Sequence, residues 1–84
     1  MAYVYYLSLE GSRIGTKILE CDVMREGNRT YIRVPGLHGW GVRKQEDVFD
    51  DYDDCRAALV ARLGGIEASA ARALSRLHNE TKPN

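Results

Sequence analysis

The sequence has 84 residues, enough for one small domain, and its twelve Lys/Arg and twelve Asp/Glu give a formal net charge of zero. A hydrophobic fraction of 44% with 29% charged residues is ordinary for a folded protein and argues against disorder. The longest apolar runs are too short for a membrane span, and no basic segment followed by an apolar run indicates a signal peptide. We therefore expect a single domain over residues 1–84, located in the cytoplasm.

Charge is unevenly distributed along the chain although the total cancels. Residues 1–44 carry a net charge of +3, residues 45–54 carry six acidic residues and no basic residue, and residues 55–84 again carry +3. Because the neutral total creates no long-range attraction for nucleic acid, we do not favour direct nucleic-acid binding. The acidic cluster over residues 46–54 is either a capped, solvated helix start, which we favour, or a recognition patch that mimics phosphates.

The first half of the chain has the alternation and the turn residues of an antiparallel sheet. The predicted strands cover residues 2–9, 16–25 and 29–34, and residues 42–49 have room for a short fourth strand at either end. Gly11 and Gly27 lie in the predicted turns, because glycine adopts the positive φ that tight hairpins need. Gly15 interrupts the pattern, so we expect a bend or a bulge over residues 13–15.

The second half of the chain predicts two helices separated by glycine. Asp50 or Asp51 caps the first helix, which runs to Leu63, and Gly64-Gly65 ends it. The second helix opens at Ile66-Glu67, and residues 79–84 form a frayed tail. Tyr52, Cys55, Leu59 and Leu63 form the apolar stripe of the first helix, which we expect to contact Leu7, Leu9, Leu19, Cys21, Val23 and Ile32.

The predicted fold is thus an α+β domain in which a three- to four-stranded antiparallel sheet carries two helices packed on one face. Its oligomeric state is left open between a monomer and a homodimer.

No cluster of polar residues has the spacing of a catalytic, metal or cofactor site. Cys21, His38, Cys55 and His78 lack the short spacings of zinc ligands, and the aspartates lack the alternate spacing of a calcium loop. Both cysteines fall on apolar faces, which favours a reduced, packing role. We therefore expect a non-enzymatic protein without a cofactor or a bound metal.

Two groups of residues have the composition of a binding surface. The glycine-rich loop over residues 35–41 carries His38 and Trp40, and the tryptophan either covers a small core or contacts a partner, since Trp, Tyr and Arg dominate binding hot spots. The third strand places Tyr31 between Arg29 and Arg33 on one face. Such a face also suits single-stranded nucleic acid.

The order of these features resembles that of a known family. The first strand ends in Tyr6-Leu7-Ser8, a Gly-Asn hairpin follows, Phe49-Asp50 leads into the first helix, and Ile66-Glu67 opens a second helix after a glycine break. This layout is similar to that of small phage-encoded anti-CRISPR proteins that inhibit type I surveillance complexes. The resemblance implies a non-catalytic inhibitor that occupies a surface of the Cascade ribonucleoprotein in the host cell and prevents target DNA from binding. It also implies that Tyr6 lies on the target-facing surface of the sheet.

The leading hypothesis is therefore a phage or prophage inhibitor that binds a host protein or a ribonucleoprotein. The alternative is a small nucleic-acid-binding module, because a three-stranded sheet followed by a capped helix also resembles the arm-binding domain of tyrosine integrases. The predicted partner-binding residues are Tyr6, Arg29, Tyr31, Arg33, His38, Trp40, Arg43, Asp47, Asp51 and Asp54.

Overall fold

The computed structural model describes residues 1–80 and contains one antiparallel sheet and one long α-helix. The elements are β1 (Ala2–Glu10), β2 (Arg13–Glu26), β3 (Arg29–Arg33), β4 (Gly41–Arg43), a short 3-10 helix (Gln45–Asp47) and α1 (Tyr52–Asn79). The strands lie in the order β1-β2-β3-β4, and each pairs with its neighbour in the antiparallel sense. The predicted α+β class and the fourth strand are confirmed.

Two tight turns connect the first three strands. Gly11 and Gly27 have φ values of 59° and 61°, and each is the first residue of a two-residue turn. The expected bend or bulge over residues 13–15 is wrong, because β2 pairs with β1 without interruption from Arg13. Gly15 has a different role: a Cβ there would lie 2.7 Å from the Oγ of Ser8, its partner across the strands. The absence of a side chain at Gly15 therefore leaves room for the side chain of Ser8 on the same face.

The sheet is curled, and its inner face forms the core. The buried core residues are Ala2, Val4, Cys21, Ile32 and Val48, with Tyr6, Leu19, Val23 and Val34 packed against them. Strands β1 and β4 are opposite edges of the sheet, yet the Arg43 guanidinium donates a hydrogen bond of 3.0 Å to the hydroxyl of Tyr6. The curl thus brings the first and last strands together.

Helix α1 packs on the outer face of β1. The ring of Tyr52 meets the ring of Tyr3 edge-on at 5.7 Å between centroids, and Leu59 and Leu63 share a groove with Ile18 of β2. Cys55 and Leu59 are buried, as predicted. The predicted sheet contacts are wrong for Leu19, Cys21, Val23 and Ile32, because these residues belong to the core on the inner face and the helix covers the outer face.

The exposure of two residues shows where that prediction failed. Val4 is absent from the predicted core set, yet it is only 1% exposed. Leu9 belongs to that set, yet it is 62% exposed. Val4 points to the inner face, and Leu9 lies near the tip of the β1–β2 hairpin. The alternation of β1 therefore marks two faces with different neighbours and does not separate core from solvent.

The prediction of two helices is wrong, because α1 continues through Gly64 and Gly65 to Asn79. Neither glycine has a positive φ. A glycine in a helix interior costs about 1 kcal/mol relative to alanine, and it ends a helix when it adopts the left-handed conformation of a C-terminal cap. The alanine-rich sequence that follows favours helix, so the chain continues.

The start of α1 agrees with the prediction. Asp51 is the N-terminal cap, and its carboxylate accepts a hydrogen bond from the backbone N–H of Asp53 at 3.4 Å. At the other end, Asn79 is still helical, and residues 81–84 of the predicted tail lie outside the described residues. Over residues 1–80, no helix combines the length and the apolar character that crossing a membrane requires.

Candidate functional site

A cleft opens where the curled sheet meets the glycine-rich loop. Its volume is about 210 Å³, and we refer to it as the aromatic cleft. It is lined by Tyr6, Ile32, Val34, Leu37, His38, Gly39, Trp40, Gly41 and Arg43. Four of the ten predicted binding residues, Tyr6, His38, Trp40 and Arg43, therefore lie around one depression.

Tyr6 and Arg43 form one side of the aromatic cleft. Besides donating the hydrogen bond to the Tyr6 hydroxyl, Arg43 places its guanidinium carbon 5.3 Å from the centroid of the Tyr6 ring. A planar guanidinium over an aromatic ring is attracted by the ring's quadrupole. Each side chain thus restricts the conformation of the other.

Trp40 forms the opposite rim and is held by a second arginine. The guanidinium carbon of Arg33 lies 4.9 Å from the centroid of the indole ring, and the same guanidinium donates a 3.0 Å hydrogen bond to the carboxylate of Asp22. Trp40 remains 41% exposed. The indole therefore lies outside the buried core, and the contact with Arg33 holds it in place.

The other predicted residues of β3 lie on the outer face of the sheet. Tyr31 pairs with Met24 on β2 and with Val42 on β4, so these three residues form a row across three strands. Met24 and Val42 are 39% and 59% exposed. Arg29 lies on the same face beside the β2–β3 turn, so the predicted set is divided between the two faces.

The acidic residues have separate locations. Asp47 lines a second cleft of about 270 Å³ beside β1, together with Arg43 and Arg62. Asp51 caps α1, and Asp54 is exposed in its first turn. Asp50 reaches Arg25 at 4.0 Å, with the Asp50 side chain 88% exposed and the Arg25 side chain half-buried. At least part of the acidic cluster therefore has a structural role.

The two cysteines are buried and free. Burial is the main cause that raises the pKa of each thiol, and the nearby carboxylate of Asp22 adds to the effect at Cys21. Both thiols are consequently protonated at neutral pH, which suits a packing role. Among residues 1–80, no three His, Cys, Asp or Glu side chains form a group that could hold a metal ion.

Sequence reasoning missed the apolar floor of the aromatic cleft and the apolar residues of the outer row. Ile32 is in the predicted core set and Val34 is not, and the structure shows that both line the cleft. Leu37, on the glycine-rich loop, is a further apolar residue of the cleft that is absent from the predicted binding set. The alternation of β3 carries a partial signal, since it places Ile32 and Val34 on one face, but the position of the loop over that face depends on the curl of the sheet.

The fold and the cleft define a small α+β protein with a preformed aromatic and basic depression. Comparison with protein families, curated proteins and solved structures finds no match to this chain.

Proposed function

We propose that this protein is a non-enzymatic binding protein that acts by covering a surface of a larger partner. The observation that carries the proposal is Trp40, a large aromatic side chain left 41% exposed and held in place by the guanidinium of Arg33. Exposed Trp, Tyr and Arg side chains that are already ordered contribute most to protein interfaces, because little conformational entropy is lost when they bind.

The size of the aromatic cleft supports a macromolecular partner. Its volume of about 210 Å³ lies below the range of roughly 300–1,000 Å³ typical of small-molecule sites. A cleft of this size suits one side chain inserted from a partner surface. The guanidinium of Arg43, which lines the cleft, favours an acidic side chain or a phosphate beside it.

The more specific proposal is an anti-CRISPR type of inhibitor, encoded by a phage or prophage and acting in the host cytoplasm. In this proposal the protein binds a host protein or ribonucleoprotein, with a type I Cascade complex as the first partner to test, and it prevents target DNA from binding. The support is the sequence resemblance at the end of β1, at the β2–β3 hairpin and at the start of α1, together with the position of Tyr6 on the cleft wall. The part of the resemblance that involves a second helix gives no support, because α1 is continuous.

The test is a titration of the purified type I complex with wild-type protein, read out as loss of target-DNA binding. We expect inhibition to saturate at a fixed molar ratio, with the intact mass of every subunit unchanged. Trp40→Ala should weaken inhibition at least tenfold, because it removes the exposed indole. Leu9→Ala is the matched control, since Leu9 is a 62% exposed apolar residue at the hairpin tip.

Inhibition far below one equivalent, or a covalent change in the partner, would contradict the occlusion mechanism. If target-DNA binding by the Cascade complex is unchanged, Cascade is ruled out as the partner. The same variants would then be compared for binding to partners isolated from host lysate.

A second candidate is the nucleic-acid-binding module. The specific observation in its favour is that Arg33 and Arg43 both stack on aromatic rings beside one cleft, an arrangement that suits the bases and phosphates of a single strand. Direct binding to single-stranded DNA, with an affinity that falls steeply as salt increases, would favour this alternative.

A further inference from the structure

The second half of α1 extends beyond the sheet. The groove between α1 and β2 ends at Leu63, and the 14 residues from Ile66 to Asn79 continue the helix for about 21 Å. Leu59, in the first half, is 7% exposed, whereas Leu74 and Leu77 are 56% and 65% exposed. The helix therefore carries an apolar surface that its own sheet does not reach.

The extension leaves more surface in solvent than a chain of this size usually exposes. The accessible surface is 6903 Å² for a mass of 9.5 kDa, whereas a compact monomer of that mass exposes about 5,000 Å². The radius of gyration is 17.6 Å, compared with about 12 Å for a compact domain of this length. The surplus surface exceeds the roughly 800 Å² that each partner buries in a stable interface.

The apolar residues of the extension continue the stripe that packs on the sheet. Steps of four and three residues connect Leu59, Leu63, Ile66, Ala70, Ala73 and Leu77. This spacing is the repeat by which two helices pack side by side. We call the part from Ile66 to Leu77 the distal seam.

We propose that the distal seam binds the distal seam of a second copy of this chain, with the two helices antiparallel. In this arrangement Ala70 lies opposite Ala73 of the second copy at the centre, and Ile66 lies opposite Leu77 at both ends. The large residues thus meet large ones, and the alanines let the helix axes approach closely. The inference does not depend on the proposed function, because it concerns a different surface.

The position of the sheet determines the direction of the helices. The first half of the same stripe, at Cys55 and Leu59, is already covered by β1 and β2. In a parallel pair the two sheets would occupy the same space between the helices. An antiparallel pair places one sheet at each end, and it also aligns the helix dipoles favourably.

Sedimentation equilibrium over a wide range of protein concentrations tests the association. We expect the wild type to approach about 19 kDa, twice the 9.5 kDa of one chain. Leu77→Glu should remain monomeric, because it places a charge in the seam, while Ser75→Glu, on the opposite side of α1, should still dimerise. Near-ultraviolet circular dichroism of Trp40 and the tyrosines checks that the sheet is intact in both variants.

A wild type that stays monomeric at every concentration would overturn the proposal. A dimer that Leu77→Glu leaves intact would also overturn it, because association would then use another surface.

Spin labels on Asn79→Cys test the orientation, since Cys21 and Cys55 are fully buried and do not compete for the label. The antiparallel dimer places the two labelled positions about 22 Å apart along the helix axis. A separation of about 10 Å, the distance between packed helices, would indicate a parallel pair and would contradict the proposed arrangement.

Discussion

Two arginines organise the aromatic cleft at the level of single residues. Arg43 stacks on Tyr6, and Arg33 stacks on Trp40, so each cation orders one aromatic side chain. The sequence could predict the residue types of such a surface. It could not predict the pairs, because Tyr6 and Arg43 are 37 positions apart and meet only when the sheet curls.

The hydrogen bond between Arg43 and Tyr6 can be removed without removing the ring. Tyr6→Phe should lower the free energy of unfolding by about 0.5–1.5 kcal/mol, the net contribution of a typical hydrogen bond, while the stacking of Arg43 on the ring is kept. Urea denaturation followed by fluorescence measures the change. Tyr5→Phe is the matched control, because the contact that fixes the Tyr5 ring is its stacking on Phe49 at 6.3 Å. Equal losses in the two variants would contradict a specific role for the Tyr6 hydroxyl.

The cap of α1 provides a second test at the level of single residues. Asp51→Ala should cost about 1 kcal/mol, because the first turn loses the side chain that accepts the N–H of Asp53. Asp50→Ala should cost much less, since its carboxylate is 88% exposed and its contact with Arg25 is 4.0 Å long. Thermal unfolding of both variants measures the difference. A larger loss of stability from Asp50→Ala than from Asp51→Ala would indicate that Asp50 is the cap.

At the level of single elements, α1 shows that local sequence signals predict where a helix starts better than where it ends. The start of α1 was predicted correctly, because a capping aspartate acts through contacts within one turn. The end was predicted wrongly, because two adjacent glycines weaken a helix without terminating it unless the backbone adopts a left-handed conformation. Gly64 and Gly65 keep helical geometry, so their sequence signal was misleading.

Replacing these glycines should stabilise the helix. A Cβ at Gly64 or Gly65 would meet nothing within 4 Å, and neither residue has a positive φ. Gly64→Ala and Gly65→Ala should each raise the free energy of unfolding by about 0.5–1 kcal/mol, chiefly through the lower entropy of the unfolded chain. Urea denaturation followed by helical circular dichroism measures the gain.

Gly27→Ala is the contrasting variant for this test. It should be destabilising, because the φ of 61° at Gly27 is unfavourable for alanine. A loss of stability at Gly64 and Gly65 as well would indicate that the helix bends or packs there.

For the molecule as a whole, the class, the strands and the turns followed from local patterns, but the three-dimensional arrangement did not. Tyr3 and Val4 are neighbours in β1, yet one contacts the helix and the other lies in the core. The alternation of residues along a strand cannot show which face is the more deeply buried when both faces carry apolar residues. For the same reason the site was predicted as one set of residues, whereas Tyr6 and Tyr31 lie on opposite faces of the sheet.

The buried contact between the helix and the sheet can be tested with a single substitution at Leu59. Leu59→Ala should cost about 2–5 kcal/mol, through lost burial and a residual cavity, because Leu59 is 7% exposed. Leu9→Ala removes the same atoms from a 62% exposed site and should cost less than about 0.5 kcal/mol. Urea denaturation of both variants gives the comparison. Similar losses would mean that the outer face of β1 is not a buried interface.

The extension of α1 beyond the sheet also has a consequence for backbone hydrogen exchange. Isolated helices shorter than about 12–15 residues are marginal in water, and the stretch from Ile66 to Asn79 gains little from the sheet. Its amide protons should therefore exchange quickly in a lone chain and slowly when a second chain covers the distal seam, while the amides around Cys55 keep the protection of the folded domain at every concentration. Dilution alone would then unfold one half of a continuous helix and leave the other half folded.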